Sequence, residues 1–141
     1  MAIFLDTGFY IGLIDPNDKH YVRSLELLKI IQTGKYGQIY TSTLVMAESA
    51  TLIGIRTKKH PKAMKTIQNY FIGLDKIAII LRFNEEHEKD TWITFHKINK
   101  TIKNKIVSFV DCTNIVLCKH YTIENILAYD GHFDGWLTRI F

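Results

Sequence analysis

Short apolar runs of strand character alternate along this chain with stretches whose apolar residues recur at helical spacing. That alternation restricts the fold more than any other feature. Residues 2–5 (Ala-Ile-Phe-Leu) read as a short, fully buried strand that stops at Asp6. A short helix is expected around 8–13, and a longer one from about 20 to 32, where Tyr21, Val22, Leu25, Leu28 and Ile31 keep helical spacing. Gly34 and Gly37 end it. Residues 39–41 make a second strand, after which Ser42 or Thr43 caps a helix reaching about residue 55. Pro61 opens a helix over 60–73. The run KIAIILRF at 76–83 is the clearest strand of all, and Asn84-Glu85-Glu86 starts a helix carrying Trp92, Ile93, Phe95 and Ile98. A helix over 109–120 leads to the strand NILAYD at 125–130, and LTRIF near the end offers an edge strand. Strands alternating with helices of this length specify an α/β domain on a mostly parallel sheet. With 141 residues, no internal repeat and no linker, one domain over 1–141 is expected.

Composition closes off other classes. A hydrophobic fraction of 47% with only 2 Pro and 8 Gly excludes disordered and fibrous chains. No apolar stretch reaches the roughly 18 residues that span a bilayer, so no membrane segment is expected. The start of the chain lacks a basic leader, and Asp6 interrupts any signal-peptide core, which predicts a cytoplasmic protein. Cys112 and Cys118 lie six apart on one predicted helix, on different faces, and read as small core residues, not a disulfide or a metal pair.

Ligand sites of parallel α/β sheets lie beyond the carboxyl ends of the strands. Asp6 closes the first strand and Asp130 closes NILAYD, so both lie at that edge. Glu48 sits in the helix after the second strand, among Leu44, Val45 and Leu52, and Asp111 in the first turn of the helix at 109. Each has a plain alternative. Asp6 and Asp130 fit turns or caps, Asp111 follows Ser108 by three as in a capping box, and Glu48 can reach solvent or an ion pair. The remaining acids lie in polar stretches such as DPND and NEEHEKD, where solvation explains them. Four converging carboxylates in a poorly solvated place cannot all stay charged without a cation. An all-oxygen set suits Mg²⁺ or Mn²⁺, which polarises a phosphoryl oxygen, generates hydroxide from water and steadies a leaving oxygen. Setting those four aside leaves ten of the fourteen acids against eighteen Lys and Arg. The bases crowd residues 56–65 and 97–105. An acidic pit in a basic surround suits cleavage of a nucleic-acid phosphodiester.

Asp6-Thr7 after a strand, Glu48 in STLVMAESATLI, Ser108-x-x-Asp111 opening a helix, and ILAYDGHF with Asp130 and Phe133 together resemble the PIN-domain ribonucleases. The subclass they most resemble is the VapC-type toxins of toxin–antitoxin pairs, with DPNDKH at 15–20 also similar. The resemblance runs from residue 1 to about 134. It implies a three-layer α/β/α domain and Mg²⁺- or Mn²⁺-dependent endonucleolysis of RNA. It further implies a homodimer and an antitoxin seated in the active-site groove. By the same resemblance Asp6, Glu48, Asp111 and Asp130 are metal-binding catalytic acids, with Asp134 assisting. Thr7 then supports Asp6 through its hydroxyl, and Ser108 supports the start of the helix that carries Asp111. Two positions depart from the family pattern: Gly8 stands where Ser or Asn is usual, and Ala128 where Thr is usual. Both remove polar groups that orient ligands, and neither removes a carboxylate.

Rival phosphoryl-transfer designs fit less well. There is no G-x-x-x-x-G-K-[ST] loop, no second Asp two residues after Asp6, and no H-E-x-x-H or C-x-x-C for zinc. The alternative reading is a degenerate PIN module that binds RNA or protein without cutting, for which Gly8 and Ala128 speak.

Overall fold

The computed structural model describes all 141 residues. Five strands, β1 (Ala2–Leu5), β2 (Gln38–Ser42), β3 (Ile79–Leu81), β4 (Asn125–Leu127) and β5 (Thr138–Ile140), form one sheet in the order β3-β2-β1-β4-β5. Every pairing is parallel, with Ile3 opposite both Ile39 and Asn125. Six helices join them: α1 (Thr7–Ile14), α2 (Tyr21–Gln32), α3 (Thr43–Arg56), α4 (Pro61–Ile72), α5 (Glu85–Thr101) and α6 (Phe109–His120). The first four pack on one another as one layer, and α5 pairs with α6 as the other. No helix is long and apolar enough to cross a membrane.

β1 is the middle strand, and Ile3, Phe4 and Leu5 are wholly buried. Successive strand side chains point to opposite faces, so both faces of β1 are covered, which is what its unbroken apolar run requires. The α1 layer is anchored by Tyr10 and Phe71, whose rings stack at 4.3 Å. Cys112 and Cys118 are buried free thiols. Helix starts follow their caps: Ser42 Oγ accepts the Val45 amide and Ser108 Oγ accepts the Asp111 amide, each at 3.1 Å.

Two strands are shorter than their apolar runs predict. Of the run 76–83 only residues 79–81 pair in the sheet, at its edge. The Ile77 amide donates to the Tyr70 carbonyl at the end of α4, and the Phe83 amide to Thr43 Oγ1 at the start of α3. The apolar run is therefore shared between the sheet and two helix ends. β4 likewise stops at Leu127, and Asp130 lies three residues beyond it as the cap of a 3₁₀ turn, Gly131–Phe133. The Asp130 carboxylate accepts the His132 amide there at 3.3 Å.

Phe71 fills the contact between α4 and α1 and is 2% exposed. Phe71→Ala should cost about 3–5 kcal/mol of stability, read from the urea midpoint, because the ring is removed and the cavity cannot close around Tyr10.

Candidate active site

The strand order reverses at β1, with β2 on one side and β4 on the other, so the crevice at the end of β1 is the switch point where such sheets bind ligands. Asp6 sits at its base. Its amide donates to the Leu127 carbonyl at 3.1 Å, so β4 fixes its backbone. It occupies the N-cap position of α1, yet its carboxylate makes no capping hydrogen bond. Oδ1 instead accepts from Asn114 Nδ2 at 3.0 Å. Asn114 lies three residues after Asp111 on α6, which puts the two on one face of that helix.

A cavity of about 490 Å³ opens at this point, lined by Asp6, Thr7, Gly8, Glu48, Asp111 and Asp130 together with His20, Arg56, Tyr129 and His132. The Thr7 hydroxyl, expected to support Asp6, donates to Glu48 Oε2 at 2.5 Å. Thr7 is the first residue of α1, and α1 packs on α3, so its side chain meets the α3 acid. His132 lies between two other carboxylates. Nδ1 is 2.7 Å from Asp130 Oδ1, and Nε2 is 3.1 Å from Asp111 Oδ2. Burial alone would lower the His132 pKa, but its bond to Asp111 and the charges of Asp111, Asp130 and Asp6 raise it, favouring an imidazolium. Asp130 is half-exposed and also has Lys105 Nζ at 3.7 Å. Asp134 is outside the cavity: Arg139 holds both its oxygens, at 2.8 and 3.2 Å.

These pairings divide the acids. Asp130 and Asp134 each have a cation, and Asp111 shares His132. Asp6 and Glu48 have none. Burial raises the Asp6 pKa to about 7, and the Asp111 and Glu48 charges add to the rise, with the Thr7 backbone amide and His132 pulling the other way. A carboxyl in that position either keeps its proton or takes a cation. The donor set suits a hard divalent ion: carboxylate oxygens that line one cavity from the end of β1, from α3 and from α6.

Several of these residues carry little signal in the sequence. Asn114 is marked only by being polar within the apolar stretch of α6, and His132 only by its place in DGHFD. Asn99 clamps the loop before α6: its Nδ2 donates to the Val107 carbonyl at 3.0 Å and its Oδ1 accepts the Val107 amide at 2.7 Å. The DPND stretch is more than a solvated turn. Asp15 is buried, and Asp18 lines the cavity while accepting Arg56 Nη1 at 2.8 Å.

A second cluster of Glu86, His87 and His120 gathers ligand-type atoms near the far end of α6. His87 Nδ1 accepts the Asn84 amide at 3.0 Å, so the proton of a neutral ring sits on Nε2, the atom a metal would need. The ring caps α5, and its chemistry opposes a metal there.

The Asp6 environment makes a signed prediction for stability in EDTA. A carboxyl whose folded pKa is raised stabilises the fold below its unfolded pKa and loses that contribution as pH rises toward about 7. Asp6→Asn removes the penalty. Its Tm relative to the parent should be near zero difference at pH 4 and clearly positive at pH 8 by scanning calorimetry. A difference that stays flat across that range would contradict the buried-charge account.

A family model described as the PIN domain matches residues 3–135. The VapC ribonuclease of Archaeoglobus fulgidus is 24% identical over 133 residues, covering 94% of this chain and 80% of the relative. Among solved structures, VapC20 of Mycobacterium tuberculosis, a toxin that cleaves the sarcin-ricin loop, superposes with a TM-score of 0.72 at 23% identity. The overlap covers 93% of this chain and 92% of that one. VapBC2 of Rickettsia felis, bound to a DNA fragment from its promoter, gives a TM-score of 0.68 at 17% identity, covering 99% and 98%. The parallel sheet, the carboxylates at its switch point and a family match over nearly the whole length agree: this chain belongs to the PIN-domain family.

Proposed function

We propose that this chain is a divalent-metal-dependent endoribonuclease, the toxin of a toxin–antitoxin pair, acting in the cytoplasm as a single PIN domain over residues 1–141. The observation that carries the reading is the charge deficit at the base of the cavity: Asp6 and Glu48 both line it, neither has an ion-pair partner, and Asp6 is pushed to about 7. Asp6, Glu48, Asp111 and Asp130 are the residues that would hold Mg²⁺ or Mn²⁺. The bound ion would supply the positive charge for a phosphodiester and the activation of water. The protein's own part is positioning. Asn114 orients Asp6, Thr7 orients Glu48, and His132 bridges Asp111 and Asp130. Ser108 and Asn99 fix the start of α6, and with it Asp111. Asp134 is committed to Arg139 and contributes less.

RNA is the substrate class that the charges favour. The two basic segments reach the acidic rim, one through Arg56 beside Asp18 and the other through Lys105 beside Asp130. The similarity to a VapC ribonuclease supports RNA, and the similarity to VapBC2 on promoter DNA supports an antitoxin partner. A homodimer belongs to the same reading.

Asp6→Asn and Asp111→Asn should each reduce Mn²⁺-dependent cleavage of single-stranded RNA by at least about a hundredfold while the circular-dichroism spectrum is kept. Asp130→Asn should cost more activity than Asp134→Asn. Wild-type-like cleavage by both of the first two variants would sink the nuclease reading and leave the non-cutting PIN module. Binding has a separate test, made in the Asp111→Asn background. Lys58, Lys62 and Lys65 changed together to Gln, or Lys97, Lys100 and Lys103, should flatten the salt dependence of RNA binding. The slope should fall by about 0.7 for each phosphate that is no longer neutralised. An unchanged slope would return those lysines to the solvated surface.

A further inference from the structure

The cavity that gathers the carboxylates also has an aromatic wall. The His20 imidazole lies flat on the Tyr129 ring, with centroids 3.8 Å apart and planes within 7° of parallel. Both residues line the cavity and both are half-buried. Their positions are fixed by α2 and, through Asp18, by α3. The Tyr129 hydroxyl shares a 2.6 Å hydrogen bond with Ser24 Oγ, and Ser24 is wholly buried in α2. The His20 amide donates to Asp18 Oδ1 at 2.8 Å, while Asp18 Oδ2 accepts Arg56 from α3. A Cβ at residue 8 would stand 3.6 Å from Tyr129 Cδ2, so any side chain there would lie against the ring. Gly8 leaves that part of the cavity open.

His20 is half-buried at the start of α2, and both it and Tyr129 line the cavity. Lys19 and Arg56 line the same cavity and attract phosphate, the carboxylates suit a divalent ion, and a pinned aromatic pair offers the flat surface on which a base stacks. We propose that the His20–Tyr129 pair seats the nucleobase next to the phosphate bound at the carboxylates, which makes an unpaired nucleotide in single-stranded RNA the substrate element. A base held in a duplex has no free face to give a protein ring. The inference rests on the nuclease reading and adds the part of the nucleotide that the wall recognises.

The test compares adenosine 5′-monophosphate with ribose 5-phosphate, titrated into the full chain in Mg²⁺ and followed by the ring-proton NMR signals of His20 and Tyr129. The two ligands carry the same sugar phosphate and differ only in the base. The nucleotide should bind roughly 5- to 100-fold tighter and shift the His20 ring signals upfield. His20→Ala should bring the nucleotide down to the affinity of ribose 5-phosphate, and His20→Phe should keep the difference. Equal binding of the two ligands to the wild-type chain would overturn the stacking proposal, whatever the variants do. Shifts caused by Nα-acetyl-arginine amide and not by the nucleotide would also overturn it, assigning the wall to a guanidinium from a protein partner. The nuclease reading is scored separately by RNA cleavage and its loss in Asp111→Asn. Cleavage together with equal binding of the nucleotide and ribose 5-phosphate removes only the aromatic wall, and absence of cleavage removes both.

Discussion

Asp6 is a carboxyl that the fold places where water hardly reaches, and the groups around it are arranged by that fact. β1 is covered on both faces and paired on both edges, so its last residue is held more firmly than any loop could hold it. Asp6 is 7% exposed, with its amide tied to β4 and one carboxylate oxygen tied to α6. Burial penalises its ionised form, and Asp111 and Glu48 add repulsion in a medium that screens poorly. One hydrogen bond from a neutral amide offsets about 1.5–3 kcal/mol at most when the acceptor is charged. It orients the carboxylate without relieving the repulsion among three of them.

The outer acids are treated differently. Arg56 serves Asp18 and approaches Asp15, Arg139 serves Asp134, and His132 with Lys105 serves Asp130. Neutralising cations thus ring the cavity, while its centre is supplied only with neutral donors, Thr7 to Glu48 and Asn114 to Asp6. A purely structural domain would gain by replacing such a centre with apolar side chains, because uncompensated buried charge is costly. An uncompensated centre beside a fully apolar strand is the arrangement on which the proposed divalent-ion site rests.

Much of this is legible in the sequence, for reasons that differ by element. The central strand is visible because burial on both faces demands an unbroken apolar run, and Ile3-Phe4-Leu5 is one. The starts of α3, α4 and α6 are visible because Ser42, Pro61 and Ser108 carry local end chemistry. The length of β3 is not, since an apolar run shows what is buried and not which neighbour buries it. Residues 77 and 83 satisfy their amides on α4 and Thr43. The carboxyl edge can be reached from topology alone, because parallel strands send their ends the same way. Side-chain partners cannot: the choice of Thr7 for Glu48, and of His132 for Asp111 and Asp130, depends on how α1, α3, α6 and the 3₁₀ turn pack.

On the proposed reading, the balance of charge also accounts for how a negative cavity would receive a negative polymer. At physiological salt the Debye length is about 8 Å, so phosphates farther away than that feel mainly the nearest exposed charges. Those nearest the rim include Arg56 and Lys105, each attached to a segment rich in lysine. Arg56 and Lys105 are themselves paired with Asp15, Asp18 and Asp130, so the positive field of each segment comes from its unpaired lysines. Lys58, Lys59, Lys62, Lys100 and Lys103 have no acid within ion-pair distance, so none competes for them. Attraction therefore comes from the exposed rim, whereas repulsion is confined to the pit. In the proposed nuclease, a strand held on both rims would meet that repulsion only at the one phosphate lowered between them, where a bound divalent ion would reverse its sign.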